Sequence, residues 1–195
     1  MSGEDPCSCD EELASARAGS QQAFAALVRV HQKAVYSLGL RMLASRELAE
    51  ELAQEIFLSL HRNLAAIESG RHLVFWLRRV TANAAIDRLR RPRLATAPLQ
   101  EASELAQSAD ESDPLLSRTL ARLLSELAPA PRAVLILRYQ EDLDPVEVAR
   151  VLDMPVNTVK SHLKRSLASL RERMLEPQAD PRAPMNMARP TGESE

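Results

Sequence analysis

Apolar residues return every three or four positions along most of this chain, the spacing that lines one face of an α-helix. A short helical stretch, Glu11 to Arg17, is closed by Gly19-Ser20. Gln21 to Leu43 then carries Phe24, Leu27, Val28, Val35, Leu38 and Met42 in the same rhythm. Ser45 is positioned to cap a third helix, Arg46 to about Ala65, whose stripe is Ala49, Leu52, Ala53, Ile56, Phe57, Leu60 and Leu64. Glu47, Glu50 and Glu51 fall in its first turns, where the helix dipole favours negative charge. Glu68-Ser69-Gly70 breaks the pattern as a loop. A fourth helix, His72 to Arg93, follows with Leu73, Leu77, Val80, Ala84 and Leu89, and Pro92 ends it.

Periodicity then lapses. Between Leu94 and Ser117 there is no Lys or Arg, while Glu101, Glu104, Asp110, Glu111 and Asp113 stand among Ala, Ser, Gln and Pro. This composition predicts an acidic, flexible linker over 94–112. Asp113-Pro114 opens a second set of helices. Its first holds Leu115, Leu116, Leu120, Leu123, Leu124 and Leu127; its second, Ala130 to Gln140, is apolar enough to be largely buried. Asp144-Pro145 caps a third, Val146 to Leu152, and Asp153-Met154-Pro155 turns the chain into the last. There Val156, Val159, Leu163, Leu167, Leu170 and Met174 form the stripe, and Asn157, Lys160, Ser161, Lys164 and Arg165 fall on another face. A short helix, a tight turn and a helix with a basic polar outer face read as a helix-turn-helix. Residues 177–195 are proline-rich and aperiodic, and 1–9 are polar, so both ends are expected to be disordered.

Composition agrees with helices throughout. Hydrophobic residues make up 45% of the 195, enough for real cores, but aromatics are 3% and glycines number five, so sheets are disfavoured. The expected fold is all-α: two small helical domains, 10–93 and 113–176, joined by the linker. Net charge is −2, so nucleic-acid binding would have to rest on local charge separation. No run of about 18 apolar residues is present and the N-terminus lacks the apolar stretch of a signal peptide, which points to a cytoplasmic protein. Cys7 and Cys9, without a second cysteine pair, make a weak metal signal even with His31 as a third ligand; two exposed thiols are the simpler reading.

Three surfaces carry candidate function. On the third helix Glu47, Glu51, Gln54, Glu55 and Leu58 cluster away from the stripe. Such a face is either solvated or, because Leu58 sits among acids, a docking surface for a basic partner. On the fourth, Arg78, Arg79, Arg88, Arg90, Arg91 and Arg93 oppose Asp87 alone, with Phe75 and Trp76 at its start. Aromatics beside arginines suit single-stranded nucleic acid, where bases stack and phosphates pair with guanidinium, unless the rings belong to the hydrophobic core. The last helix offers side chains of the kinds that bond phosphates and base edges. No active site accompanies them: the four histidines lack metal-ligand spacing, five glycines build no phosphate loop, and no nucleophile elbow occurs. A non-enzymatic binding protein without cofactor, metal or small-molecule substrate is expected.

That combination resembles a sigma factor of the extracytoplasmic-function (ECF) group of the sigma-70 family. Glu47 to Leu64, ELAEELAQEIFLSLHRNL, is similar to the family's region 2.2. Phe75 to Arg91, FWLRRVTANAAIDRLRR, is similar to regions 2.3 and 2.4, and Leu127 to Met174 to regions 4.1 and 4.2. The resemblance implies that Glu47, Glu51, Gln54, Glu55 and Leu58 hold core RNA polymerase at the β′ clamp helices, with further contact to the β subunit. It implies that the Glu68 to His72 loop, with Trp76, Arg78, Arg79, Asn83, Asp87, Arg88, Arg90 and Arg91, captures and opens the -10 element of promoter DNA. Asn157, Thr158, Lys160, Ser161, His162, Lys164 and Arg165 would read the -35 element, and an anti-sigma factor would mask these surfaces. Four positions depart from the pattern, one of them Ala82, which stands where a basic residue is frequent. Asp153 and Asn157 stand where Gly is frequent, and His162 stands where Arg is frequent. The alternative is a LuxR-type helix-turn-helix regulator, whose recognition helix VNTVKSHLKR closely resembles; its receiver domain, however, would need strands that residues 10–91 do not offer.

Overall fold

A computed structural model describes the backbone of residues 6–91 and 114–175, with side chains over 10–91 and 119–175. The expected linker, the C-terminal tail, Arg93 and the side chains of Cys7 and Cys9 lie outside the described residues. Eight α-helices and one 3₁₀ turn make up the described fold, and among the described residues there is no strand. They are α1 (Pro6–Arg17), α2 (Gln21–Leu43), α3 (Arg46–Asn63), the 3₁₀ turn Leu64–Ala66, α4 (Gly70–Arg90), α5 (Pro114–Ser125), α6 (Pro129–Tyr139), α7 (Pro145–Leu152) and α8 (Val156–Leu175).

Helix starts follow local chemistry. Ser20, Ser45 and Ser69 are each extended and accept from the backbone N–H three residues on, those of Ala23, Leu48 and His72. Asp144 forms a full capping box: its carboxylate accepts from Val146 and Glu147 N–H, and Glu147 accepts from Asp144 N–H at 2.8 Å. Arg91, preceding Pro92, turns extended at φ −68°, ψ 134°, and ends α4. Two boundaries differ from the sequence expectation. Helix α1 begins at Pro6, five residues earlier, and α4 begins at Gly70 because Ser69 caps it, so the expected Glu68 to His72 loop is half helix.

Helices α1 to α4 pack as one bundle and α5 to α8 as a second. Where α2 crosses α3, Gly39 permits the approach: a Cβ there would lie 3.2 Å from Leu52 Cδ2 and 3.7 Å from the Ala49 backbone. The two bundles meet, because α6 packs on α2 and α4, and α7 on α4. A single apolar cluster accordingly runs from Leu38, Met42 and Leu77 through Val134 and Leu137 to Val148 and Val159.

Arg132, only 4% exposed, fastens this junction. Its Nε donates to the Leu124 carbonyl at 2.8 Å, its Nη1 to the Met42 carbonyl at 2.6 Å, and its Nη2 to the Ser125 carbonyl. These carbonyls lie in the last turns of α5 and α2, where no intrahelical donor remains. Burial pushes the Arg132 guanidinium below the ordinary arginine range, and the carbonyls at the ends of α5 and α2 offset part of the cost of burying its charge. Arg132→Ala should therefore destabilise the protein by about 3 kcal/mol, since the Met42 and Ser125 carbonyls lose their donor and the Leu124 carbonyl keeps only the Leu127 N–H. Thermal denaturation should show Tm lower by roughly 6–12 °C. Arg132→Lys, keeping charge without the fork, should recover less than half of that loss.

Candidate nucleic-acid interface

Helix α8 is held to its bundle by Val159 and Leu170, both buried, and by half-buried Leu163. Opposite, Asn157, Lys160, Lys164 and Arg165 are exposed, while Thr158, Ser161 and His162 are half-buried beside them. The seven residues therefore form one continuous polar face over three turns, with three cations and no acid. The apolar stripe is shorter than its spacing predicted: Leu167 is 38% exposed and Met174 48%. Past Leu163 the helix rests on Leu123 and Leu135 through Leu170, and Arg173 in its last turn bonds Glu126 at 2.7 Å.

The turn before α8 depends on Asp153, which adopts the left-handed conformation at φ 52°, ψ 51°. Its N–H and that of Met154 both bond the Ala149 carbonyl, closing the end of α7. The departure from Gly is thus accommodated by the residue class that bears this conformation best after Gly.

The α4 arginines divide by environment. Arg90 and Arg91 are exposed, and Arg90 lies 3.9 Å from Asp87. Arg79 is paired at 3.8 Å with Asp153 of the α7–α8 turn. Arg78 donates through Nε to Glu141 at 3.1 Å, and Arg41 of α2 approaches the same carboxylate at 3.9 Å. Arg88, at 18% side-chain exposure, turns inward: it bonds Glu55 at 2.7 Å and the Leu48 carbonyl at 2.9 Å, fastening α3 to α4. That inward role was not legible in the run of arginines. Phe75, Trp76 and Asn83 are half-buried, the rings packed against the apolar cluster with part of their surface open. At the head of α4, Glu68 and Arg71 project while Ile67 and Gly70 are buried.

On α3 the Glu47, Glu51, Gln54 and Glu55 side chains all face solvent around Leu58, itself 59% exposed. Among the described residues no cluster of three metal-ligating side chains occurs, and no helix is long and apolar enough to cross a membrane.

Two family models match the two halves that carry these surfaces: Sigma-70 region 2 over residues 27–94 and Sigma-70, region 4 over 117–170. The RNA polymerase sigma factor CarQ of Myxococcus xanthus is 33% identical over 159 residues, covering 80% of this chain and 91% of that protein. The chain belongs to the sigma-70 family. The ECF RNA polymerase sigma factor SigW of Bacillus subtilis is 29% identical over 178 residues, 84% of this chain and 95% of its own length. Among solved structures, CnrH in complex with the cytosolic domain of CnrY shares the fold with a TM-score of 0.64 at 23% identity, covering 86% of this chain and 97% of that one. The sigma factor RpoE of Bartonella quintana, solved with the anti-sigma factor NepR, gives 0.59 at 17% identity, covering 79% and 98%. The protein is thus an ECF-type sigma factor, which binds core RNA polymerase and directs promoter-specific initiation. The region 2 match over the first half removes the LuxR-type alternative.

The strain at Asp153 provides a check on the region 4 turn. Asp153→Val should cost about 1–2 kcal/mol, because a β-branched residue resists the left-handed conformation. Asp153→Gly should match or exceed the parent in stability. Thermal melts of the two variants decide the point, and an unchanged melt for Asp153→Val would contradict the left-handed assignment.

Proposed function

We propose that this sigma factor engages its three targets through three separate faces, without chemistry of its own. Glu47, Glu51, Gln54, Glu55 and Leu58 on α3 hold the β′ clamp helices of core polymerase. The Glu68 to His72 segment and the outer face of α4, with Trp76, Arg78, Arg79, Asn83, Asp87, Arg88, Arg90 and Arg91, engage the -10 element. Within that set Arg88 acts by bracing α4 on α3 through Glu55, so its contribution is to hold the face rather than to touch DNA. The polar face of α8, Asn157 to Arg165, reads the -35 element in the major groove. The observation that carries the reading is the exposure of Leu58 and of the α8 cations on otherwise well-packed helices.

The packed arrangement of the two bundles also has to change on a promoter. The -10 and -35 elements are centred about 25 base pairs apart, roughly 85 Å along B-form DNA. Helix α7 packs on both α4 and α8, and packed helix axes lie 8–10 Å apart, so α4 and α8 approach within about 20 Å. One closed molecule therefore cannot touch both elements, and polymerase must hold the bundles apart. The seam is loose at its solvent edge, although Arg132 and the shared apolar cluster close its centre. Its ion pairs are partly solvated, and at its edge a cavity of about 60 Å³ is lined by His31, Val35, Leu77, Thr81 and Glu141. The buried Thr81 hydroxyl there has no hydrogen-bond partner among the described residues. An anti-sigma factor that bridged the two bundles would keep them from core polymerase and from DNA alike.

Two measurements test these assignments. Lys160→Ala or Arg165→Ala should lower -35-dependent transcription about tenfold while core affinity is kept, whereas Leu58→Glu should lower core affinity and, through it, transcription. Loss of core binding in the α8 variants would contradict the division of labour. Glu141→Arg, which sets a third cation against Arg78 and Arg41, should enlarge the radius of gyration in solution scattering and raise the rate of holoenzyme assembly. An unchanged radius would mean that these pairs do not hold the seam.

A further inference from the structure

Helix α1 is tied to the head of α4 by a contact that spans 60 residues. Asp10 Oδ1 accepts a hydrogen bond from the Gly70 N–H at 2.6 Å. Gly70 is the first residue of α4 and is buried, so its N–H has no intrahelical acceptor and little access to water. Ser69, the cap, is already occupied by the His72 N–H. Asp10 thus acts as a second cap supplied from a distant helix, and its negative charge lies where the α4 dipole favours it.

The same helix reaches the other end of the segment. The Arg17 Nη2 lies 3.5 Å from the Ala65 carbonyl, and Leu13 and Ala16 bury α1 in the apolar cluster. Inside the segment, Ile67 is fully buried and the Glu68 N–H donates to His72 Nδ1 at 3.3 Å. The backbone is therefore held at Ala65, Glu68 and Gly70, and between Ile67 and His72 the exposed side chains are Glu68 and Arg71.

We propose that Asp10 is a positioning residue for capture of the -10 element, fixing the segment that presents Glu68 and Arg71. The inference rests on the reading of that segment as a -10 contact. A segment ordered beforehand spares the complex the entropy of ordering it during strand opening. Without the Asp10 carboxylate the first turn of α4 loses an acceptor, and the spacing between Glu68 and Arg71 is no longer set.

The test uses the full chain with core polymerase and follows permanganate reactivity of unpaired thymines at the -10 element, core affinity and Tm. Asp10→Ala should reduce strand opening about tenfold, the scale of one hydrogen bond to a charged group, with core affinity unchanged. Asp10→Asn, which keeps an acceptor oxygen, should restore most of the opening. A Glu68→Ala/Arg71→Ala variant serves as the control for the underlying reading. If that variant is impaired and Asp10→Ala opens the promoter normally, the segment contacts DNA but Asp10 does not position it. If that variant opens the promoter normally, the -10 reading of the segment fails and the inference with it. If Asp10→Ala and Asp10→Asn both lose core affinity together with opening, Asp10 merely supports the fold and the proposal is overturned.

Discussion

One buried cation holds the two halves of the molecule together. Arg132 stands in the first turn of α6, where the helix dipole disfavours positive charge, at the edge of a run from Ala133 to Leu137 that is buried throughout. It is tolerated because the C-terminal ends of α5 and α2 converge on it, presenting the Leu124, Ser125 and Met42 carbonyls. The guanidinium fork suits this better than an ammonium would, since several donors diverge from one plane. The same group closes the α5–α6 turn, which consequently contains no glycine. Packing of α6 on α2 and α4 follows from this anchor, and with it the placement of Glu141 and Asp153 opposite the α4 arginines.

Polar contacts are unequal in strength across the fold, and the inequality separates what is rigid from what can move. Arg88 joins Glu55 and the Leu48 carbonyl in a partly buried, charge-assisted pair at 2.7 and 2.9 Å. It makes α3 and α4 one body, so a partner gripping the acidic face of α3 also fixes the orientation of α4. Arg79 and Asp153 are 3.8 Å apart with Asp153 almost fully solvated, the kind of pair worth about 0–1 kcal/mol. The seam thus has soft ion pairs at its rim, and the contact that any separation of the bundles has to break is the buried Arg132 bond to the Met42 carbonyl.

The helices were legible because a 3.6-residue period states which face is buried, and Ser45 and Asp144-Pro145 declared their starts through cap chemistry. The exposed faces of α3 and α8 followed as the complement of those stripes. What was hidden is whatever depends on a residue far away in the chain. Asp10 has no local signal, since its partner is a backbone N–H 60 residues on. Arg132 looks like a solubilising charge until two helix ends are brought to it. Arg88 sits in a run of arginines that composition alone reads as uniform, yet it turns inward where its neighbours Arg90 and Arg91 do not. Leu167 and Met174 erred in the opposite sense, since they keep the period but fall outside the contact that buries Leu170 between them.

The charge on the recognition face bears on how the protein divides its work. Affinity for duplex DNA grows with the number of phosphates neutralised, and Lys160, Lys164 and Arg165 are the cations on the polar face from Asn157 to Arg165, with His162 where another would be frequent. The α4 cations nearest the seam, Arg78 and Arg79, face Glu141 and Asp153 in the closed arrangement. A chain of net charge −2 built this way is a poor DNA binder alone. On the proposed reading that weakness is useful. Base contacts on α8 discriminate between sequences only if phosphate attraction does not hold the protein equally well everywhere. Attachment to core polymerase then supplies the missing affinity as a local concentration, leaving the short polar face of α8 to choose among sites.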